Sequence, residues 1–288
     1  MAGAWQCDRR DIDVPLRVGS RLPPTNAPAP GGHEVGISLT VLGSAGTHTG
    51  AGRACSGYLV EVAGIRVLLD AGNGATANLQ TLVPVSGLDA VVISHRHIDH
   101  CIDLISCYYN LRFDPDFERR IPLYAAAEVH ELLRGLLAND SPMDFDDVFE
   151  HRQVGHGDAV RIGAMDLRFA RSLHPVPTVS TRIEVEGASL VYSGDSAGGP
   201  DLVQIASGAD LLLIDATWTG DASQYPAGIH LTAGDAGAIA TSAGVSRLVL
   251  THLAGATDRR QAIAEARARF DGPVLLAEDL ERYEVGGV

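Results

Sequence analysis

Apolar positions run in two registers along this chain. Between Val35 and Asp70 they form short stretches bounded by glycine. GISLTVLG (36–43), SGYLVEV (56–62) and IRVLLDAG (65–72) predict strands, the last two joined by a hairpin turn at Ala63-Gly64. LDAVVISH (88–95) is continuously apolar until its end, as in a strand buried on both faces. A helix is predicted over Ile102–Arg112, a strand at IPLYA (121–125), a helix over Ala127–Leu137 and an acidic loop or short insertion at Asn139–Phe149. Strands follow around 151–154, 158–162, 165–173, 179–186 and 188–193, with Gly187 turning the last pair. Next come a helix near 200–206, a strand ADLLLIDA (209–216) and a helix over Thr232–Ala243, with Thr232 at the cap and Asp235 in the first turn. A strand VSRLVLTH (245–252), a helix over Asp258–Phe270 and a final strand PVLLAED (273–279) complete the pattern. A β-rich start followed by βα units, twice over, predicts an α/β protein with two sheet layers and helices outside. Short connections favour one compact domain, 35–288. Residues 1–34 lack this periodicity. Their LPPTNAPAPGG stretch reads as a linker or flexible arm, or as an ordered arm packed on the body or on a second subunit.

Composition narrows the chemistry. The 288 residues are 45% hydrophobic and 20% charged, which fits a globular chain. All 22 basic residues are arginine. The lack of lysine excludes Walker-A, kinase and Schiff-base chemistry, each of which needs one. A formal net charge of −14 opposes wrapping a polyanion by charge alone. Cys7, Cys55, Cys101 and Cys107 form no CxxC pair, so a zinc ribbon or thioredoxin-like site is not expected. The N-terminus is charged where a signal peptide needs an apolar core, and no apolar run reaches the length of a membrane span. A soluble, cytoplasmic protein without a membrane partner is expected.

The 11 histidines carry the functional signal. His95, His97, Asp99 and His100 are packed into SHRHIDH, directly after the buried strand, where α/β sheets place their ligand sites. Three imidazoles within six residues need partners for their nitrogens, and a divalent metal is one. His174 closes DLRFARSLH, Asp195 follows LVYSG, and His252 ends RLVLTH. Each puts a metal-ligand side chain just beyond an apolar strand, and the recurrence makes the joint reading stronger than any single one. Arg96, inside the motif, is expected to point outward.

The HxHxDH motif at 95–100, His174, the SGD at 193–195 and His252 resemble the metallo-β-lactamase superfamily, in order, from about Ile37 to the C-terminus. The resemblance implies an αββα sandwich of two mixed β-sheets flanked by helices, with a dinuclear metal site at the sheet edges. Carried over, His95, His97 and His174 would hold one metal. Asp99, His100 and His252 would hold the other, and Asp195 would bridge them. Asp70 resembles the family's structural aspartate, which orients ligand loops without binding metal. Two ions that share a carboxylate make chemical sense: coordination brings the pKa of water from about 15.7 to about 7, supplying a nucleophilic hydroxide without a serine or cysteine. Zinc, manganese or iron suits a mixed His/Asp set, and zinc is the expectation.

LLLIDATW and GIHLTAGDAG add Asp215 at a strand end and His230 before a helix. These segments resemble the phosphodiesterase branch, which includes tRNase Z and the atypical bacterial cyclic-nucleotide phosphodiesterases. There an acidic residue before Ala-Thr orients a histidine. The resemblance thus implies catalytic roles for Asp99, His230 and Asp215 and a small phosphodiester substrate, a cyclic nucleotide or nucleotide-like ester. It also implies a homodimer. tRNA is not the expected partner, because no long basic arm is inserted. A hydrolase of a carboxylic or sulfate ester, lactone or thioester is the alternative on the same scaffold. A non-enzymatic scaffold with a degenerate site is disfavoured by the full ligand set.

Overall fold

The computed structural model describes residues 36–137 and 144–286. The arm read at 1–34, Cys7, residue 138 and residues 139–143 of the acidic stretch lie outside the described residues. The chain opens with β1 (Ile37–Gly43), β2 (Gly57–Val62), β3 (Ile65–Ala71) and a short helix α1 (Ala75–Leu79). Then come β4 (Ala90–Val92), α2 (Ile98–Cys101), α3 (Asp103–Arg112), β5 (Ile121–Ala125), α4 (Ala127–Leu136) and β6 (Phe149–Gln153). The second half begins with a meander: β7 (Ala159–Ile162), β8 (Met165–Arg171), β9 (Val179–Val185) and β10 (Ala188–Tyr192). It continues through α5 (Pro200–Ala206), β11 (Leu211–Asp215), α6 (Ala233–Ala243), β12 (Leu248–Thr251), α7 (Arg259–Arg267) and β13 (Val274–Leu276). Finally β14 (Arg282–Val285) returns to the first sheet.

Each sheet has seven strands, ordered β14-β1-β2-β3-β4-β5-β6 and β13-β12-β11-β10-β9-β8-β7. Each joins antiparallel pairs at one end to parallel pairs at the other. In the first sheet, β3, β4, β5 and β6 pair in parallel; in the second, β10, β11, β12 and β13 do. One core lies between the sheets, with Leu39, Tyr58, Leu69, Leu167, Leu190 and Leu213 among its members. A second lies between the first sheet and α1, α3 and α4; a third lies between the second sheet and α5, α6 and α7. Strands covered on both faces must be apolar at every position, which is why AVVI and LLLI run without alternation. The architecture is the αββα sandwich that the sequence implies.

Some elements differ from the sequence expectation. The chain does not end on the strand at 273–279, because β14 follows and pairs antiparallel with β1, Ile37 opposite Val285. The stretch 139–149 is more than an acidic loop: Phe145 is fully buried beside Phe149, at the foot of β6. The α6 cap is as expected. Thr232 and Asp235 form a reciprocal capping box.

Candidate metal centre

The loops leaving β4, β8, β10 and β12 converge at one edge of the two sheets. β4 ends at Val92, and Ser94 and His95 follow it directly. His97 caps α2 in an extended conformation. Alternation along that backbone brings His95 and His97 to one side, and the single turn of α2 then delivers Asp99 and His100. Arg96 is exposed, as expected. His174 follows β8, Asp195 follows β10, and His252 follows β12.

All seven predicted metal ligands meet, in two groups. His95 Nε2 lies 3.0 Å from His97 Nδ1, and His174 Nε2 lies 3.1 Å from the same atom. Asp195 Oδ2 is 3.5 Å from His95 Nε2 and 3.9 Å from His174 Nε2. The other Asp195 oxygen, Oδ1, is 3.1 Å from His100 Nε2 and 3.3 Å from His252 Nε2. Asp99 Oδ2 completes that second group, 3.2 Å from His252 Nε2 and 3.5 Å from His100 Nε2. Asp195 therefore presents one oxygen to each group. His100 Nε2 and Asp195 Oδ1 are buried and have no hydrogen-bond partner. Buried polar atoms left unpaired are costly, so this donor set fits cations.

The charges around the cluster are strongly coupled. Burial drives His95 down to about 4, and the neighbouring His100 adds to the shift. Burial opposes ionisation of Asp195, but His100, His252 and His95 outweigh it and hold the carboxyl well below its ordinary range. Burial likewise works against a charged His100, yet Asp195 and Asp70 prevail and raise it well above an ordinary imidazole. Positive charge is favoured between these carboxylates.

Two buried aspartates behind the cluster orient its rings. Asp70 Oδ2 accepts from His100 Nδ1 at 2.7 Å, from Tyr192 Oη at 2.6 Å and from Ser94 Oγ at 2.8 Å. Ser94 Oγ in turn meets His95 Nδ1 at 3.0 Å. Asp215 is fully buried and pairs with His230 Nδ1 at 2.8 Å, as the sequence implied. His230 stands between the cluster and Trp218, whose ring centroid is 5.2 Å away, edge to face; Tyr225 stacks on Trp218 at 4.5 Å. The backbone of Ile229 accepts from His174 Nδ1 at 2.9 Å. Five described non-glycine residues have positive φ, and three of them are here: Thr47, Asp70 and His252. Backbone held in that region marks positions that the surroundings over-determine. Thr47 turns its N–H onto Asp99 Oδ2 at 2.8 Å.

Sequence reasoning did not find Ser94, Tyr192 or Thr217. The signal available was a hydroxyl at an otherwise apolar strand end, which when buried must find a partner. Ser196 and Thr178 are buried, and Ser196 donates its N–H to Asp215 Oδ2, a structural contact. His48 and His156 are exposed, while His130 and His151 stack on each other away from the centre.

A model of the "Beta-lactamase superfamily domain" matches residues 65–253, which include the whole cluster. The chain belongs to the β-lactamase superfamily. It is 34% identical over 262 residues to "Uncharacterized protein Rv1339" of Mycobacterium tuberculosis, spanning 88% of this chain and 94% of that one. Ribonuclease Z of Mycobacterium marinum is 29% identical over 277 residues, 86% of this chain and 99% of its own length. The crystal structure of the metallo-β-lactamase fold protein YhfI from Bacillus subtilis superposes with a TM-score of 0.78 at 27% identity, over 86% of this chain and 99% of that one. Members of this superfamily are metal-dependent hydrolases, and this chain is a metallo-hydrolase of that kind with His/Asp clusters able to bind metal.

Proposed function

We propose that this protein hydrolyses a small phosphodiester, a cyclic nucleotide or nucleotide-like ester, at a dinuclear centre. His95, His97 and His174 would hold one cation and Asp99, His100 and His252 the other, with Asp195 shared. Divalent cations held there, zinc by expectation, would supply Lewis-acid activation of water and of the phosphoryl oxygens.

The observation that carries the phosphodiester reading is the Asp215–His230 couple, 2.8 Å long and set beside the seven ligands. Asp215 engages Nδ1, which fixes the ring and its tautomer. Nε2 is then the atom able to exchange a proton with a leaving oxygen. An alkoxide leaving from phosphorus needs that proton; hydrolysis of a lactone or thioester has less use for the couple. The relative named ribonuclease Z puts phosphodiester cleavage on this scaffold. A small substrate suits this chain better than tRNA. Its 36 acidic residues against 22 arginines oppose contact with many phosphates. Among the described residues no long basic arm leaves the sandwich. The homodimer belongs to this reading through the family resemblance.

The test is a substrate panel on metal-replete protein. Turnover of bis(p-nitrophenyl) phosphate and of a cyclic mononucleotide is expected, with lactones, thioesters and sulfate esters slower by orders of magnitude. Lactone or thioester turnover without phosphodiester turnover would replace this function with the ester-hydrolase alternative.

A further inference from the structure

We propose that Thr217 is a positioning residue: its hydroxyl fixes the ring of His252, so that retention of the second cation depends on Asp215, the carboxylate that also holds His230. The inference rests on the dinuclear reading and concerns a residue which that reading leaves without a role.

The geometry follows from strand pairing. β11 and β12 run parallel with Asp215 opposite Thr251, so the residues just past the two strand ends come side by side. Thr217 and His252 are those residues, and both are buried. The Asp215 carboxylate accepts four hydrogen bonds. Oδ1 takes the Thr217 N–H at 2.9 Å and the Thr217 hydroxyl at 2.7 Å. Oδ2 takes the Ser196 N–H at 3.0 Å and His230 Nδ1 at 2.8 Å. Thr217 Oγ1 also lies 2.9 Å from His252 Nδ1.

A hydroxyl has one hydrogen, and a carboxylate only accepts. The Thr217 hydrogen therefore points at Asp215, and a lone pair of the same oxygen faces His252. Nδ1 of His252 must carry the hydrogen in that contact. Its Nε2, on the side of Asp195 Oδ1 and Asp99 Oδ2, is then the atom that would ligate a cation. This is the tautomer a metal ligand needs. His252 has further need of a fixed partner because its own φ is +58°.

The same device stands on the other side of the centre. Asp70 holds His100 directly and reaches His95 through the Ser94 hydroxyl. Asp215 holds His230 directly and reaches His252 through the Thr217 hydroxyl. Each buried aspartate thus fixes two imidazoles, one by contact and one by relay. Asp215 serves a ring outside the ligand set and a ring within it, which couples the two.

The test uses zinc binding, read without substrate, in the full-length protein and its Thr217→Val, Thr217→Ala and Thr217→Ser variants. Zinc is titrated against a chromophoric chelator. Wild type and Thr217→Ser are expected to take two equivalents with similar affinities. Thr217→Val should keep the first and bind the second about 10- to 100-fold more weakly, the range for losing a partner that orients a ligand. Thr217→Ala is read the same way should valine prevent folding. The proposal falls if the second equivalent is unchanged, if both weaken alike, or if serine fails to rescue. In zinc-loaded wild type, the imidazole nitrogen NMR signals of His252 should show the hydrogen on Nδ1, and a hydrogen-free Nδ1 would overturn the proposal on its own. A wild-type chain that takes one equivalent contradicts the dinuclear reading, whereas two equivalents with unchanged Thr217→Val contradicts only the role of Thr217.

Discussion

His230 and the seven clustered ligands should respond differently to removal. His230 makes its shortest contact, 2.8 Å, with Asp215 behind the cluster, and lies 3.9 Å from Asp195 Oδ2. His230→Ala is therefore expected to keep its metal and its thermal transition. It should lower turnover of a cyclic nucleotide about 100- to 10,000-fold, the range for a positioned acid or base. The loss should shrink on a p-nitrophenyl diester, whose leaving oxygen needs little protonation. Steady-state kinetics on both substrates, with metal content measured in parallel, check this; an equal loss on both would remove the acid role. Asp215→Asn is a less selective probe, since it also touches His252 through Thr217. At this scale the ligands were legible because histidine and aspartate just after apolar strands have few other reasons to recur. Ser94, Tyr192 and Thr217 were not, because a hydroxyl next to a histidine in sequence is common and its use is decided only by which strand end lies beside it.

Elements place these residues through close backbone approach. Gly72 directly follows β3 and lies against α2. A Cβ there would stand 1.9 Å from the Asp99 carbonyl oxygen and 2.7 Å from the Cys55 Cβ. Gly72→Ala must push away the turn that carries Asp99 and His100. It is expected to cost about 1–3 kcal/mol of stability, as overpacking does, and to lower metal content. Denaturant unfolding and elemental analysis would show both, and wild-type values in the two would mean that α2 is free to shift. The strands and helices with a strong period were readable, most to within a few residues. The five-residue α1 was not, since it is barely one turn and its N-terminal N–H groups donate to Asp103 in α3. β14 was missed because RYEV alternates exposed and buried positions over only four residues, and its partner β1 lies at the far end of the sequence.

At the scale of the molecule, the duplicated layout of the sheets explains why the centre lies where it does. Each half runs from an antiparallel meander into parallel βα units, and the parallel strands of both sheets end at the same edge. His95 and His100 come from the first half and His174, Asp195 and His252 from the second, so the centre is a product of the whole sandwich. The layered α/β class was legible from the two successive blocks of strand and βα pattern. Which strand ends would face one another across the sandwich was supplied by the family resemblance, because no local pattern encodes contact between residues 77 or more positions apart. Metal stoichiometry decides whether the centre is dinuclear. Protein purified without chelator and then repleted should hold two equivalents of divalent metal by elemental analysis. Asp195→Ala, which removes the oxygens facing both groups, should fall well below two. A reproducible value at or below one in the wild type, or two in Asp195→Ala, would contradict a dinuclear centre bridged by that carboxylate.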